Sequence, residues 1–369
     1  MSSSQARASV LKCTGTCATN RGDGRPTAAA DVRNARIIVM IIFNNSKPLG
    51  LIDMSSSYSS SSSQLDSEDE RHKKKNLSYH HHHGWDNVAR GWQKWWKTFE
   101  KDAQKVNERL VEIAEIKVGD RVMDMATGIG EPAITAAKKV GVKGYVLATD
   151  ISPQMLAIAK ERSVYLGLQN IVEFKEANAE KILDLEQQQQ PLSPFDAVLC
   201  RWGLMFFPNL ASTLSNVHKL LSNGGRMAAA VWSEPAKVPK LSTAIDIVTR
   251  KLGIPSTTAY ADYAEVFSPF RLSNTNMVNK VLAEAGFKDI HAEYLNVTFE
   301  FPSAEDYTDF ARQIIAPIHN LLANESEERK EEIWKAVTEE VARRFSVDGN
   351  STGSTVRMDN ECIVIVGRK

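Results

Sequence analysis

The sequence predicts an α/β fold in which a largely parallel sheet is covered by helices on both faces. Short apolar runs alternate with helical segments over residues 121–232, which is typical of parallel strands joined by crossover helices. A glycine-containing turn follows the first strand, and an acidic residue closes the second. Two late apolar strands, separated by a long insertion, predict a hairpin-like pair at the edge of the sheet.

Each element has its own local signal. Apolar runs predict strands at residues 121–125, 145–149, 171–175, 195–200 and 226–232, and the late pair at residues 290–299 and 361–366. Helices are predicted at residues 131–140, 153–166, 208–221, 304–322 and 326–345. Ser152 and Pro153 show the pattern of a helix N-cap followed by a first-turn proline.

The unit around the first glycine turn is the part of the chain that predicts ligand binding. Residues 118–150 contain, in order, a strand, a turn with Gly128 and Gly130, a helix, a second strand and Asp150. Glycines let the backbone approach a ligand closely, and the helix N-terminus offers free N–H groups. A carboxylate at the end of the second strand can accept hydrogen bonds from both hydroxyls of a ribose. The pattern therefore predicts a nucleoside site.

Two ligands fit this pattern. Gly128-x-Gly130-x-x-Ala133, with Asp150 twenty residues beyond Gly130, matches the fingerprint of dinucleotide-binding domains. The same pattern also matches the nucleoside site of methyltransferases that use S-adenosylmethionine. Asp124 favours the second interpretation, because a carboxylate beside the turn repels a pyrophosphate but suits the ammonium of a methionine moiety. An ordinary strand–helix turn without a ligand is the third alternative.

The composition is that of a globular protein. Of its 369 residues, 43% are hydrophobic and 24% are charged, and Lys+Arg equals Asp+Glu, so the formal net charge at pH 7 is zero. This balance indicates neither a nucleic-acid partner nor an anionic membrane surface. The four cysteines form no zinc-site pattern, which is typical of a reducing compartment, and we expect a cytoplasmic protein. The apolar run at residues 37–43 is too short to span a bilayer, so stable membrane insertion is not expected.

Residues 1–76 differ in composition from the rest of the chain. Serine is nearly continuous over residues 55–63 and a charge run follows at residues 66–75, and such a segment cannot bury enough apolar surface to offset its ordering entropy. We predict a disordered extension at residues 1–76 and a folded domain at residues 77–369, with a start at Met54 as an alternative. The histidines at residues 80–83 have no acidic or cysteine partner nearby, so a solvated patch is favoured over a metal site.

Three segments flank the predicted sheet, at about residues 85–116, 235–274 and 302–350, and we expect them to form a helical lid. In the first, Trp92, Trp95, Trp96 and Phe99 follow helical spacing. These aromatic residues either pack the helix onto the core or roof the ligand site. The second segment contributes the aromatic residues Tyr260, Tyr263, Phe267 and Phe270.

Residues 85–369 resemble the class I S-adenosylmethionine-dependent methyltransferases, and within them the branch of the ubiquinone/menaquinone C-methyltransferases. The matching stretches are VMDMATGIGEPA, ATDISPQMLAIAKER, EFKEANAEKI, FDAVLCRWGLMFFPN, LSNGGRMAAAVW and IVIVGRK. They occur in the order and at the spacing typical of the family. The resemblance implies a Rossmann-like seven-stranded sheet whose last strand is antiparallel, and it implies S-adenosylmethionine as the cofactor.

The resemblance also implies roles for individual residues. The implied cofactor site contains Asp124, Ala126, Thr127, Gly128 and Gly130 at the methionine part, Asp150 at the ribose, Ile151, Met155, Asn178 and Ala179 at the adenine, and Arg201 near the transferred methyl group. The family usually has a glycine where Ala126 stands and an aspartate where Asn178 stands. Alanine is tolerable there if its φ angle stays negative, and an amide oxygen can still accept from the adenine amine.

Methyl transfer to a carbon or a phenol requires a base that removes a proton from the acceptor. His82 is a candidate base, as are Tyr79, His83, His218 and His291. Arg201 either stabilises an enolate or phenolate or pairs with a nearby carboxylate. The expected acceptor is a small apolar or aromatic molecule such as a quinone precursor. Another small-molecule acceptor, hydride transfer with NAD, and cofactor binding without catalysis are the alternatives.

Overall fold

The computed structural model describes residues 62–184, 194–255, 268–347 and 353–369. Within these residues, seven strands form one sheet in the order β3-β2-β1-β4-β5-β7-β6. The strands are β1 Arg121–Met125, β2 Tyr145–Asp150, β3 Val172–Glu176, β4 Phe195–Arg201, β5 Leu221–Trp232, β6 Lys288–Phe301 and β7 Val356–Arg368. Strands β1 to β5 run parallel, whereas β7 is antiparallel to both β5 and β6. The predicted fold class is confirmed, including the late pair of strands at the sheet edge.

Strands β1, β2 and β4 lie in the middle of the sheet and are buried on both faces. Met123, Leu147 and Leu199 are completely covered. This burial explains why the three strands are continuous apolar runs rather than alternating patterns. Strand β5 begins at Leu221, where the sequence predicted the end of a helix, and its pairing with β4 shifts register between Phe195 and Ala197.

Helices cover both faces of the sheet. Those of the described residues are α1 Ser62–Ile113, α2 Ala133–Val140, α3 Pro153–Tyr165, α4 Leu210–Leu220, α5 Pro239–Lys251, α6 Thr275–Glu284, α7 Ala304–Ile314, α8 Ala316–Leu322 and α9 Glu327–Phe345. The Ser152 Oγ accepts a hydrogen bond from the Met155 N–H at 3.1 Å, so the predicted N-cap of α3 is present. Within the described part of the chain, no helix combines the length and the apolar character needed to cross a bilayer.

Helix α1 spans 52 residues and begins at Ser62, inside the segment predicted to be disordered. The helix therefore starts before the predicted domain boundary at residue 76, and residues 1–61 lie outside the described residues. Trp95, Phe99, Val106 and Leu110 form a buried stripe along α1, as the helical spacing of the sequence predicted. Burial of this stripe holds α1 against β6 and α7.

Candidate functional site

A cavity of about 530 Å³ opens at the carboxyl ends of β1, β2 and β4. We call it the central cavity. Adjacent strands β1 and β4 mark the point where the order of the parallel strands reverses, and open α/β sheets bind ligands at such a point. Its size lies within the usual range for small-molecule sites.

The turn after β1 forms one wall of the central cavity. The Thr127 N–H donates to the Thr149 carbonyl oxygen at 3.0 Å, which ties the turn to β2. The space in which a Gly128 side chain would lie is open for 4 Å around, and Gly128 has a φ of +56°. The backbone of Gly128 is therefore exposed to a ligand in the cavity.

The backbone of Ala126 is in the left-handed region. Its φ is +54°, so the condition of a negative φ, under which alanine was expected to be tolerated here, is not met. The turn requires a left-handed residue here, and alanine takes that conformation at a cost of roughly 1–2 kcal/mol. Its Cβ packs close to Gly203, which follows β4.

Asp150 is held by the turn that it faces. One carboxylate oxygen, Oδ2, accepts from the Gly128 N–H at 2.8 Å, and Oδ1 accepts from the Ser152 N–H at 2.9 Å. Burial raises the pKa of Asp150, and these backbone hydrogen bonds oppose that rise. Each oxygen keeps a lone pair, so the side chain is fixed and still able to accept hydrogen bonds from a diol.

Asp124 lies behind this wall. Its Oδ2 accepts from the Thr127 hydroxyl at 2.6 Å and from the Ala133 N–H at 2.9 Å, while Oδ1 is buried without a hydrogen-bond partner. Burial raises the pKa of Asp124 to about 7, and the two hydrogen bonds act in the opposite direction. Asp124 and Gly130 are therefore next to the central cavity but do not line it.

The structure brings most of the predicted cofactor residues to one cavity. Those that line it are Ala126, Thr127, Gly128, Asp150, Ile151, Met155, Asn178, Ala179 and Arg201. Of the candidate bases, His218 packs against Phe287 and His291 lies exposed on the edge strand β6, so neither lines the cavity. The side chains of Tyr79, His82 and His83 lie outside the described residues.

Arg201 is engaged with two side chains of α1. Its guanidinium donates to both carboxylate oxygens of Glu100, at 2.6 and 2.7 Å, and to the Asn107 Oδ1 at 2.8 Å. Burial disfavours the charge on Glu100, but the contact with Arg201 holds the pKa of this carboxyl below its ordinary value. Of the two roles considered for Arg201, the structure shows pairing with a carboxylate.

Glu100 and Asn107 were missed because the chain separates them from Arg201 by 101 and 94 residues. The sequence nevertheless contains a signal for them. They are seven residues apart, two helical turns, and they interrupt the otherwise apolar stripe of α1. A pair of polar residues on a buried helix face predicts a buried polar partner on the facing element.

A second buried ion pair supports the turn. The carboxylate of Glu131, which lines the cavity, pairs with Arg162 of α3 at 3.2 Å and accepts from the Thr135 hydroxyl at 2.8 Å. The Arg162 guanidinium lies 4.5 Å from the ring of Trp96 on α1. The pair therefore joins the turn, α3 and α1 through one connected set of contacts.

Four aromatic rings form a second wall, which we call the aromatic wall: Phe99, Trp202, Trp232 and Phe310. Trp202 stacks on Trp232 with ring centroids 4.3 Å apart, and Phe99 meets Trp202 at 5.4 Å. Trp202 has a φ of +56°, a conformation that is rare for so bulky a residue and that clusters at functional sites. The Trp202 indole N–H is buried without a hydrogen-bond partner in the described structure.

Lys240, the second residue of α5, also lines the central cavity beside the aromatic wall. Its side chain is only 2% exposed. Lys240 was missed from the sequence, because one lysine near a helix N-terminus belongs to no motif.

Comparison with known proteins shows which class of enzyme this chain resembles. Residues 116–263 match the family model described as a methyltransferase domain. The ubiquinone/menaquinone biosynthesis C-methyltransferase UbiE of Pseudomonas savastanoi pv. phaseolicola is 27% identical over 218 residues, which cover 58% of this chain and 78% of that relative. The chain is an S-adenosylmethionine-dependent methyltransferase. The family recognised from the sequence motifs and the predicted cofactor are thereby confirmed.

Two further proteins are similar over smaller shares or at lower identity. Aklanonic acid methyltransferase DauC of Streptomyces sp. strain C5 is 33% identical over 123 residues, which cover 33% of this chain and 53% of that relative. The structure of Haemonchus contortus phosphoethanolamine N-methyltransferase 2 in complex with S-adenosyl-L-methionine is 17% identical, with a TM-score of 0.42, and the match covers 72% of this chain and 52% of that one.

Proposed function

We propose that this methyltransferase acts on a small planar acceptor with an ionisable hydroxyl group, such as a quinone precursor. The observation that carries the proposal is the pairing of two unlike walls in one cavity. The wall formed by Gly128 and Asp150 is polar and suits a nucleoside, whereas the aromatic wall is apolar and suits a flat ring.

The residues of the polar wall fit the cofactor. We assign the ribose hydroxyls to the fixed carboxylate of Asp150 and the adenine to Ile151, Met155 and Asn178. At Gly128 the cofactor approaches the backbone directly, because no side chain lies between them. When bound, the cofactor supplies a methyl group that is already activated on a sulfonium. The residues around it therefore act mainly by positioning and by excluding water.

The aromatic wall has a role toward both partners. Ring faces attract a cationic centre through their quadrupole, and they also stack against a planar acceptor. The unpartnered indole N–H groups of Trp92 and Trp202 are donors without acceptors in the described structure. We assign them to oxygen atoms of the acceptor, because a buried donor left unpaired costs free energy.

The names of the relatives agree with this acceptor class. UbiE is named for ubiquinone/menaquinone biosynthesis and DauC for aklanonic acid. A quinone-type acceptor for this chain is the specific form of the proposal, and a different small molecule is the alternative. A cytoplasmic location stays a prediction from the cysteine pattern of the sequence.

The proposal is tested by product identification. The full chain is incubated with S-adenosylmethionine that carries a deuterated methyl group, together with a cell extract, and labelled products are found by mass spectrometry. We expect the label in a small aromatic or quinol product, with the heat-denatured chain as the control. Label found only in protein or nucleic acid, or no label above the control, would contradict the proposed function.

A further inference from the structure

Lys240 is a buried lysine without an ion-pair partner among the described residues, and it faces the cavity. Its Nζ lies among five aromatic rings, whose centroids are 4.1 Å away for Phe299, 4.4 Å for Phe99, 4.6 Å for Trp232, 5.6 Å for Trp202 and 5.7 Å for Phe310. We call these rings the lysine cage. Four of its rings are those of the aromatic wall, and they line the cavity together with Lys240.

The backbone of Lys240 is fixed on both sides. Its N–H donates to the Asn360 Oδ1 at 2.9 Å, and its carbonyl oxygen accepts from the Tyr307 hydroxyl at 2.9 Å. Asn360 in turn donates to the Met358 carbonyl oxygen at 2.8 Å. A side chain that is anchored in this way and points into rings has a defined position at the site.

The carboxylates near Lys240 are already committed. Glu100 is bound at both oxygens by Arg201, at 2.6 and 2.7 Å. Asp102 accepts from the Glu300 N–H at 2.9 Å. The remaining charged or titratable groups that act on Lys240 are the Arg201 cation on β4 and Cys362 on β7. Among the described residues, no carboxylate forms an ion pair with the Lys240 Nζ, and Glu100 and Asp102 favour its charged form only from a greater distance.

We propose that Lys240 is the general base that removes the hydroxyl proton of the methyl acceptor. The inference rests on the proposed function. The acceptor O–H bond breaks, its proton joins the lone pair of the Lys240 Nζ, and the electron pair stays on oxygen. That oxygen, or a ring carbon conjugated with it, forms the new bond to the methyl carbon while the carbon–sulfur pair goes to sulfur. Lys240 ends the step as an ammonium and loses its proton to water after the product leaves.

A general base must be neutral before the proton transfer and stable as a cation after it, and the surroundings of Lys240 favour both states. Burial lowers the pKa of Lys240 well below its ordinary value, and the nearby Arg201 cation lowers it further. The proposed role requires the waiting amine to be neutral, and a neutral amine does not repel a cationic sulfonium. The ring faces of the lysine cage then stabilise the ammonium once the proton has arrived. Arg201 cannot take this role, since a guanidinium does not give up its proton in proteins.

The proposal is tested without methyl transfer, using para-nitrophenol as an acidic probe whose ionised form is yellow. The full chain is saturated with S-adenosylhomocysteine, at a pH below the solution pKa of the probe. We expect the wild type to hold the probe as phenolate with no proton released to the buffer, because Lys240 has taken it. Lys240→Met should hold the probe as neutral phenol. Lys237→Met, a change of the exposed lysine three residues earlier, is the matched control and should behave as wild type.

A second measurement keeps the inference falsifiable if the probe gives no colour in any variant. The side-chain amine of Lys240 is titrated by NMR in the same complex, and its signal is assigned by its absence in Lys240→Met. We expect a midpoint well below the ordinary lysine pKa. A midpoint at the ordinary value, release of one proton per phenolate formed, or equal phenolate in Lys240→Met would each overturn the proposal. Failure of the proposed function is a separate result, since no small aromatic or quinol product would then carry the label, whatever the titration of Lys240 shows.

Discussion

Gly203 has no space for a side chain, because Ala126 and Cys200 occupy it. A Cβ at position 203 would lie 2.7 Å from the Ala126 Cβ and 2.7 Å from the Cys200 Sγ. We expect Gly203→Ala to lower the free energy of unfolding by roughly 1–3 kcal/mol through overpacking. Denaturant unfolding measures this change.

A second variant, Ala126→Gly, removes the clash between a side chain at position 203 and the Ala126 Cβ. The double variant should be less destabilised than the sum of the single changes, because the two sites are in contact. Gly84→Ala is the control, since nothing lies within 4 Å of its Cβ position and alanine is the better helix former. Strict additivity of the two changes would contradict the packing of Ala126 against Gly203.

Asp124 makes the stability of the protein depend on pH. Its pKa is raised to about 7 by burial, so the folded state binds a proton that the unfolded state has already lost between the ordinary value, 3.8, and about 7. The free energy of unfolding should therefore fall as pH rises through this window, by roughly 1.4 kcal/mol for each unit of pKa shift. In Asp124→Asn this loss disappears, because no charge forms in the core. Thermal unfolding of both proteins at several pH values checks it, and parallel curves would contradict the assignment.

Helix α1 contributes to both the core and the central cavity, and two of its tryptophans separate these roles. Trp95 is buried against Phe301 and Phe310, and its indole N–H donates to the Asp309 Oδ2 at 3.1 Å. Trp92 lines the cavity and meets Phe99 edge to face at 4.9 Å. From the sequence, these aromatic residues could either pack the helix onto the core or cover the ligand site. In the structure, Trp95 packs in the core and Trp92 lines the cavity.

We expect variants of the two tryptophans to differ, with loss of stability for Trp95 and loss of acceptor binding for Trp92. Trp95→Ala should lower the free energy of unfolding by roughly 3–5 kcal/mol, since it leaves a large gap in the core. Trp92→Ala should raise the KM of the acceptor by roughly tenfold, which corresponds to the loss of one aromatic contact, and leave cofactor affinity close to wild type. Steady-state kinetics with the identified acceptor and calorimetry with S-adenosylhomocysteine measure the two effects. Equal loss of cofactor and acceptor affinity in Trp92→Ala would remove this helix from the predicted lid.

The polar wall was predictable from sequence because its parts are local. Gly128 and Asp150 belong to one continuous strand–turn–helix–strand unit, so their spacing alone places them together. Lys240 and Phe299 are 59 residues apart, on α5 and β6, and meet only because α5 packs against β7, which is the neighbour of β6 in the sheet. The left-handed conformation of Ala126 was also beyond the sequence, because alanine gives no signal of a positive φ. Of the aromatic residues in the second segment of the lid, Tyr260, Tyr263 and Phe267 lie outside the described residues, whereas Phe270 is buried in the core and does not line the central cavity.

At the scale of the whole molecule, the first described buried side chains of α1 are Val88 and Ala89, which pack on Ile129 and Met155. A chain that begins at Leu77 should therefore keep its fold and bind S-adenosylhomocysteine as the full chain does. Differential scanning calorimetry compares the two proteins. A melting temperature lowered by more than about 4 °C would correspond to a loss of about 2 kcal/mol or more in a domain of this size, and would show that the preceding residues stabilise the domain.

We infer that the turn after β1 and the carboxylate of Asp150 hold S-adenosylmethionine. Calorimetric titration with S-adenosylhomocysteine, and with NAD as the competing ligand, tests it directly. We predict that the wild type binds S-adenosylhomocysteine and not NAD, and that Asp150→Ala loses roughly 2–4 kcal/mol of binding free energy with its two hydrogen bonds. Asp359→Ala, which replaces an exposed residue of β7, is the control and should bind S-adenosylhomocysteine as the wild type does. Unchanged affinity in Asp150→Ala, or binding of NAD in place of S-adenosylhomocysteine, would contradict the claim.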